Sequence, residues 1–242
     1  MKRMIFLCLA ALLVAGIALA EDFWTKKEYM QWTDEEVKKL ITDSPWAKDI
    51  TVSAPLAALG RGQRSAVESD SSTDTETGGG GGRRGRRGGG GGGFGGGGAS
   101  EALLTLNISW RSALPLRKAL VRSRVGPAPA AVPPEAAQLI SNDQDNYVIV
   151  VSGLPAGMAR AIQTPVLVDK STIRAGKKPP VAAKNMDVQR RTQTVDVIYT
   201  FPKSQPIASD DKEVEVVLRL GQIEAKKKFN LKDMVYNGKL EL

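Results

Sequence analysis

The sequence predicts an α+β protein in which a mainly antiparallel sheet carries one or two packed helices, with a β-sandwich as the alternative. Two patterns support this prediction. Apolar and polar residues alternate along several stretches in the second half of the 242-residue chain, which is the period of a half-buried strand. A short stretch near the start repeats its apolar residues at helical spacing instead. An antiparallel sheet with helices packed on it buries the apolar residues of both patterns.

Residues 1–20 have the pattern of a secretory signal peptide. Lys2 and Arg3 precede a run of apolar residues, and the Ala-Leu-Ala at 18–20 is a small-residue cleavage signal. The apolar run is short for a membrane span, which needs about 20 residues. We therefore expect cleavage near Glu21, export to the periplasm or the extracellular space, and no span in the mature chain.

The stretch that follows predicts one short helix, Asp34–Thr42. Thr33 and Glu36 have the spacing of a capping box, in which each side chain bonds the backbone N–H of the other residue. Pro45 disfavours helical geometry at the residue before it and so ends the helix. The apolar face of this helix consists of Val37, Leu40 and Ile41.

Three tryptophans, Trp24, Trp32 and Trp46, accompany this helix. Isolated helices shorter than ~12–15 residues are marginal in water, and each buried indole removes a large apolar area from solvent. We expect residues 21–55 to form a docking segment that packs on the C-terminal domain; recognition of a partner is the alternative. Residues 21–50 carry five basic and eight acidic side chains and residues 101–242 carry 21 and 14, so the two regions attract each other. The predicted docking residues are Trp24, Trp32, Val37, Leu40, Ile41 and Trp46.

Residues 56–100 predict a disordered Gly/Arg-rich linker, because residues 60–100 hold almost no large apolar side chains and residues 78–98 hold sixteen of the 25 glycines. As a flexible coil of about 5–6 Å × √n, the linker would let the docking segment fold back on the domain. Its arginines could bind anions, but the spacing lacks R-G-G repeats and export removes the chain from cellular nucleic acid. A plain linker is therefore favoured over nucleic-acid binding. The arginines concerned are Arg83, Arg84, Arg86 and Arg87.

Residues 101–242 predict the α+β domain. Alternation indicates strands at residues 103–110, 194–201, 214–220 and 223–231, while the apolar run 147–151 indicates a strand covered on both faces. A helical segment between the first strand and 147–151 suggests one βαβ-like unit, and Val166–Val168 resembles a strand. Gly221-Gln222 suits a type II′ hairpin turn, and Asn237-Gly238 is a further turn signal. Lys227 falls in the apolar phase, which suggests a register shift there.

Histidine is absent from the sequence and the only cysteine is Cys8, inside the predicted signal peptide. These counts exclude disulfides in the mature chain, Cys/His metal sites and histidine-based catalytic triads. We expect no enzyme activity, no cofactor and no metal. Asp210-Asp211 resembles a carboxylate dyad, but adjacent residues in a polar loop more often cap the next strand. Ser209 and Lys212 match S-x-x-K without its companion motifs.

Basic clusters are the remaining candidate for binding. Lys226 and Lys228, with Lys232, and a separate pair at 190–191 lie on predicted sheet edges. Such charges protect edge strands from aggregation, and on one face they could also bind an anionic polymer. We expect an exported, non-enzymatic structural or interaction protein; a binding module for anionic envelope polymers is the alternative. The partner would be such a polymer or another envelope protein.

Two stretches carry a resemblance to known proteins. Trp32–Val37, followed by Leu40–Thr42, resembles the opening of the GWxTD-type bacterial secreted proteins. The runs SPWAK at 44–48 and FNLKDMVYNGKLEL at 229–242 are similar to uncharacterised secreted bacterial proteins with a Trp-rich head and a β-rich tail. The resemblance implies secretion and supplies no activity and no site residues.

Overall fold

The computed structural model describes residues 23–55, 101–127, 132–142, 144–162 and 166–242. The predicted signal peptide and the predicted linker, with the four arginines considered for anion binding, lie outside these residues. The helices are α1 (Phe23–Lys26), α2 (Asp34–Thr42), α3 (Leu114–Val125), α4 (Pro134–Ser141), α5 (Ala159–Ile162) and α6 (Val166–Asp169), and 3-10 turns lie at Tyr29–Gln31, Ala156–Met158 and Ser209–Asp211. The strands are β1 (Ala47–Pro55), β2 (Glu101–Trp110), β3 (Asn146–Pro155), β4 (Thr172–Ala175), β5 (Val181–Ala182), β6 (Asn185–Arg190), β7 (Thr194–Pro202), β8 (Glu213–Leu220), β9 (Ile223–Asn230), β10 (Val235–Tyr236) and β11 (Lys239–Leu240).

All strand pairs in the described residues are antiparallel, so the predicted combination of a mainly antiparallel sheet with helices is confirmed. A five-stranded sheet has the order β1-β2-β3-β7-β6, a four-stranded sheet has the order β5-β4-β8-β9, and β10-β11 form a hairpin. The two larger sheets contact each other through side chains. The ring of Trp110 on β2 lies 6.0 Å from that of Phe229 on β9. The Tyr199 hydroxyl on β7 donates to the Arg219 carbonyl on β8 at 2.6 Å.

The N-terminal segment belongs to this core through both its helix and its strand. The predicted capping box is confirmed: the Glu36 N–H donates to Thr33 Oγ1 at 3.2 Å, and the Thr33 N–H donates to Glu36 Oε2 at 2.9 Å. Trp32 and Trp46 are 0% exposed and Trp24 is 5% exposed. The helix face is buried too, at Val37 and Leu40 fully and at Ile41 partly, in the cluster that contains the residues of both sheets.

Polar contacts fix the segment in position as well. The Trp46 indole N–H donates to the Glu241 carbonyl at 2.8 Å, and the Trp46 carbonyl accepts from the Trp110 N–H at 2.8 Å. At the N-terminus of α2, Asp34 lies 3.4 Å from Arg122 on α3, which is an ion pair between the acidic segment and the basic domain. Because the Arg122 side chain is only 4% exposed while that of Asp34 is 85% exposed, this pair lies at the rim of the contact.

Strand β1 pairs with β2 over nine residues, from Ala47 opposite Ser109 to Pro55 opposite Glu101. Pro55 and Glu101, the residues that border the predicted linker, are therefore adjacent partners in the sheet. A two-residue hairpin turn would span the same gap.

The predicted βαβ-like unit is wrong, because β2 and β3 pair antiparallel, with Trp110 opposite Ile149. A parallel crossover needs a helix that returns the chain to the starting edge of the sheet. Here the chain leaves the end of β2 along α3 and returns to it along α4. Strand β3 therefore begins beside the place where β2 ends. Arg117 on α3 holds the two helices together by donating from Nη1 to the carbonyls of Leu139, Ile140 and Asn142 at 2.7–3.1 Å.

Two smaller expectations also fail. The stretch Val166–Val168 belongs to helix α6 rather than to a strand, since short apolar runs do not distinguish the two. No register shift occurs at Lys227, which pairs with Val216 in an uninterrupted β8–β9 ladder. A lysine can occupy an inward position at a sheet edge because its long stem packs while the ammonium stays in water.

Both predicted turns are present. The φ of Gly221 is +68°, whereas the φ of Gln222 is not positive. This combination is what the predicted type II′ turn between β8 and β9 requires. Asn237 and Gly238 have φ of +50° and +77°, which suits a type I′ turn between β10 and β11.

Replacement of residues 56–100 by Asn-Gly tests whether the β1–β2 connection needs its length. We expect the shortened variant to unfold cooperatively in urea, with a free energy of unfolding equal to that of the full chain or about 1–2 kcal/mol higher. The reason is that a shorter loop lowers the entropic cost of closure. A loss of several kcal/mol or an aggregated product would show that β1 does not pair with β2 as described.

Truncation of Trp46 tests the contribution of the indoles. We expect Trp46→Ala to lower the free energy of unfolding by about 3–5 kcal/mol in urea denaturation, because it leaves a large cavity in the core. Trp46→Phe retains most of the apolar area but removes the donor to the Glu241 carbonyl, so its loss should be smaller, about 1–3 kcal/mol. If Trp46→Ala costs less than about 1 kcal/mol, Trp46 is not a core residue.

Candidate functional site

An open groove of about 810 Å³ lies at the end of the four-stranded sheet where β8 begins and β9 ends. Three chain segments form it: the turn after β4, the 3-10 turn that leads into β8, and the turn after β9. We call it the lysine groove. Its lining residues are Gly176, Lys177, Asp210, Asp211, Lys212, Glu213, Lys228, Phe229, Asn230 and Lys232.

Backbone contacts hold the three segments against one another. The Gly176 N–H donates to the Glu213 carbonyl at 2.9 Å, and the Leu231 N–H donates to the Lys212 carbonyl at 2.9 Å. Gly176 has φ of +52°, and a Cβ there would lie 3.0 Å from the Asp211 carbonyl oxygen. Only glycine therefore fits this turn without displacement of its neighbour.

Lys212 has a backbone conformation that L-residues rarely adopt, with φ of 66° and ψ of −50°. This conformation is close to that of a strained γ-turn. Strain of this kind costs of order 1–3 kcal/mol and persists only where surrounding contacts determine it, commonly at binding sites. At Lys212 the contacts are the hydrogen bond from Leu231 and the turn that ends at Asp211.

Two lysines at the groove are already paired with carboxylates. Lys178 lies 2.7 Å from Asp211, and Lys228 lies 2.6 Å from Glu213. Burial alone would raise the pKa of Asp211, but hydrogen bonds from Lys178 and from the Ala208 N–H outweigh it and lower that pKa. The hydrogen bond to Glu213 raises the pKa of Lys228. Asp211 thus caps the 3-10 turn and fixes Lys178, whereas the sequence suggested that the Asp-Asp pair caps the strand that follows.

Three groove lysines have no carboxylate within ion-pair distance in the part of the chain that the structure describes. Lys177, Lys212 and Lys232 are all exposed. Asp210 is the one lining carboxylate that lacks an ion pair among the described residues. The groove therefore presents an excess of unneutralised positive charge.

The lysines that the sequence singled out are in a different situation. Lys226 lies 2.9 Å from Glu215, whose other oxygen accepts from Arg174 at 2.7 Å, and Lys228 is paired with Glu213. The hydrogen bond from Lys226, followed by the contributions of Arg174, lowers the pKa of Glu215. Lys226 therefore belongs to a set of ion pairs on the solvent face of the four-stranded sheet. Lys228 belongs to the same set and also lines the groove.

The two predicted basic clusters do not share a site. Gln193, in the turn beside the 190–191 pair, accepts from the Ala156 N–H at 3.1 Å, and Gly221 packs against Ala161. The 190–191 pair therefore lies near the β8–β9 turn, whereas the lysine groove lies at the other end of β9. Eight residues of antiparallel strand at about 3.4 Å each separate the two ends by roughly 25 Å.

The sequence patterns did not identify Lys177 and Lys212 as candidate anion-binding residues. The available signal was local: each follows a residue that forms a tight turn, Gly176 in one case and Asp211 in the other. Nothing in the sequence indicated that these turns meet. The predicted docking residues form the packing between the N-terminal segment and the domain, and their indoles are not accessible to a partner in this arrangement.

No group of three or more Asp, Glu, His or Cys side chains in the described ranges is placed to hold a metal ion. No helix within them has the length and apolar character needed to cross a membrane.

No family model, curated protein or solved structure matches this chain.

Substitution of Gly176 tests how the groove is built. We expect Gly176→Ala to lower the free energy of unfolding by about 2–4 kcal/mol, from a positive φ and from contact with the Asp211 carbonyl. Gly238→Ala is the matched control, since Gly238 also has positive φ but a Cβ there meets nothing within 4 Å. Equal losses in urea denaturation for the two variants would show that the Gly176–Asp211 contact contributes nothing.

Proposed function

We propose that this protein is an exported, non-enzymatic interaction protein that binds an acidic polysaccharide through the lysine groove. The observation that carries the proposal is the convergence of Lys177, Lys212 and Lys232 on one open groove without carboxylate partners among the described residues. Export rests on the signal-peptide pattern of residues 1–20, which lie outside those residues. The proposed scaffold is a β-sandwich formed by the two larger sheets, with the N-terminal helix docked on it.

Charge supports an anionic ligand. An exposed ammonium keeps its charge at neutral pH and binds carboxylate, phosphate or sulfate groups as a compact point charge with three donors. Lys178 and Lys228 are neutralised by Asp211 and Glu213, so the segments that carry the free lysines are held by ion pairs rather than by the ligand. The groove would therefore be formed before the ligand binds, which lowers the ordering cost of association.

The aromatic residues favour a polysaccharide over a single-stranded nucleic acid. Proteins that bind single strands stack bases on accessible aromatic rings. In the described ranges every aromatic side chain is buried or half-buried, including Phe229 at the groove, which is 2% exposed. An anionic polymer without flat bases fits such a surface better.

A binding role rather than catalysis fits the carboxylates of the groove. Asp211 accepts from Lys178 and from the Ala208 N–H, and Glu213 is paired with Lys228. A general acid or base needs a group that is free to exchange a proton near neutral pH, whereas the pKa of Asp211 is lowered. The absence of histidine from the sequence removes the side chain most often used for that task.

The combined substitution Lys177→Ala/Lys212→Ala/Lys232→Ala tests the proposal. We expect the wild-type protein to bind immobilised dextran sulfate with salt-sensitive affinity and uncharged dextran not at all, as ion contacts are screened by salt. The triple variant should bind at least about tenfold more weakly, because three exposed charge contacts contribute up to ~1 kcal/mol each.

The matched control is Lys38→Ala/Lys39→Ala/Lys184→Ala, which removes the same charge from exposed positions away from the groove. Equal loss in both triple variants would mean that only net charge matters, and the groove would not be the site. Tighter binding of oligo(dT) than of dextran sulfate at equal charge would replace the polysaccharide by a nucleic acid.

A further inference from the structure

A second polar cavity lies directly beside the lysine groove. This cleft, of about 500 Å³, is bounded by the start of β3, the segment after β7 and the β10–β11 hairpin. We call it the side cleft. Its lining residues are Ser112, Arg117, Gln144, Tyr147, Lys203, Ile207, Ala208, Ser209, Gly238, Lys239, Leu240, Glu241 and Leu242.

One loop separates the two cavities. Residues 207–209 line the side cleft and residues 210–213 line the lysine groove, so the change from one to the other occurs between Ser209 and Asp210. Consecutive Cα atoms are about 3.8 Å apart. The two cavities therefore share this loop as a common wall.

This wall is fixed in place by hydrogen bonds at several points. The Ile207 N–H donates to the Tyr147 hydroxyl at 3.0 Å, and Lys178 Nζ donates to the Pro206 carbonyl at 3.0 Å. The Ala208 N–H donates to the Asp211 carboxylate at 2.8 Å. Both cavities thus have a defined shape and a common rim.

The side cleft also carries positive charge. Lys203 is exposed, lies 5.1 Å from the centre of the Tyr147 ring and has no carboxylate partner among the described residues. Lys239 is 77% exposed, and its contact with Glu241 is long at 3.8 Å. Arg117 is committed to the carbonyls at the end of α4 and is not counted here.

We infer that the lysine groove and the side cleft are two halves of one binding surface, occupied by a single extended anionic polysaccharide that crosses the wall at Ser209–Asp210. A single anion would need only one cluster of cations, whereas a polymer with repeated anionic groups can use both. Gln144 and Ser209 add an amide and a hydroxyl group that suit sugar hydroxyls. The inference rests on the proposed function of the groove and specifies the length and path of its ligand.

Chain length of the ligand provides the test. The probes are long-chain dextran sulfate and the compact sulfated disaccharide sucrose octasulfate, each titrated calorimetrically against full-length protein. We expect Lys203→Ala/Lys239→Ala to weaken binding of dextran sulfate by about three- to tenfold while leaving the affinity for sucrose octasulfate unchanged. The groove variant Lys177→Ala/Lys212→Ala/Lys232→Ala should weaken binding of both probes. Lys38→Ala/Lys184→Ala is the control for loss of two charges and should change neither.

The outcomes separate the two claims. If the side-cleft variant leaves dextran sulfate binding unchanged, or weakens both probes equally, the two-cavity path is wrong although the groove function stands. If the groove variant leaves both affinities unchanged, the proposed function itself fails. Because Lys203 and Lys239 are exposed, urea denaturation should show the side-cleft double variant to be as stable as the wild type. A weaker affinity for dextran sulfate then reports a loss of binding rather than of folding.

Discussion

The antiparallel pairing of β1 with β2 is the constraint on which the rest of the structure depends. It places Trp46 at the start of the strand, where its carbonyl bonds Trp110 and its indole N–H bonds Glu241 near the last residue of the described chain. The same pairing brings α2 against β2 and α3, so that Trp24 and Trp32 enter the common core. Without β1, strand β2 would become the open edge of the five-stranded sheet. Its buried residues Leu106 and Ile108 would then lie on an unpaired edge strand.

The surfaces of the molecule differ in how far their charged side chains are neutralised by ion pairs, rather than in how many charges they carry. On the solvent face of the four-stranded sheet, cations and carboxylates alternate across the strands, as in the Arg174–Glu215–Lys226 row. At the end of that sheet the pattern stops, and turns carry lysines whose carboxylate neighbours are engaged elsewhere. Because cross-strand pairing depends on register, equal densities of lysine in a sequence can give a neutral face in one place and a positive groove in another.

The features that the sequence predicts well are local. The capping box of Thr33 and Glu36, the alternating strand residues of β2, β7, β8 and β9, and the turns at Gly221 and Asn237 each depend on residues within a few positions. The failures are non-local. The direction of β3 relative to β2 depends on α4 returning the chain, and the free state of Lys212 depends on where Glu213 and Asp211 find their partners. A single sequence contains no periodic signal for contacts of that kind.

The adjacency of Pro55 and Glu101 has a consequence for how the chain can vary. Both residues lie at the rim of a sheet, where the pairing of β1 with β2 reaches its last described partners. Insertions, deletions or an entire foreign domain could be placed between them at a cost that grows only slowly with length. This position is therefore a suitable insertion site for a fluorescent reporter or an affinity tag, because the sequence of the packed core stays unchanged.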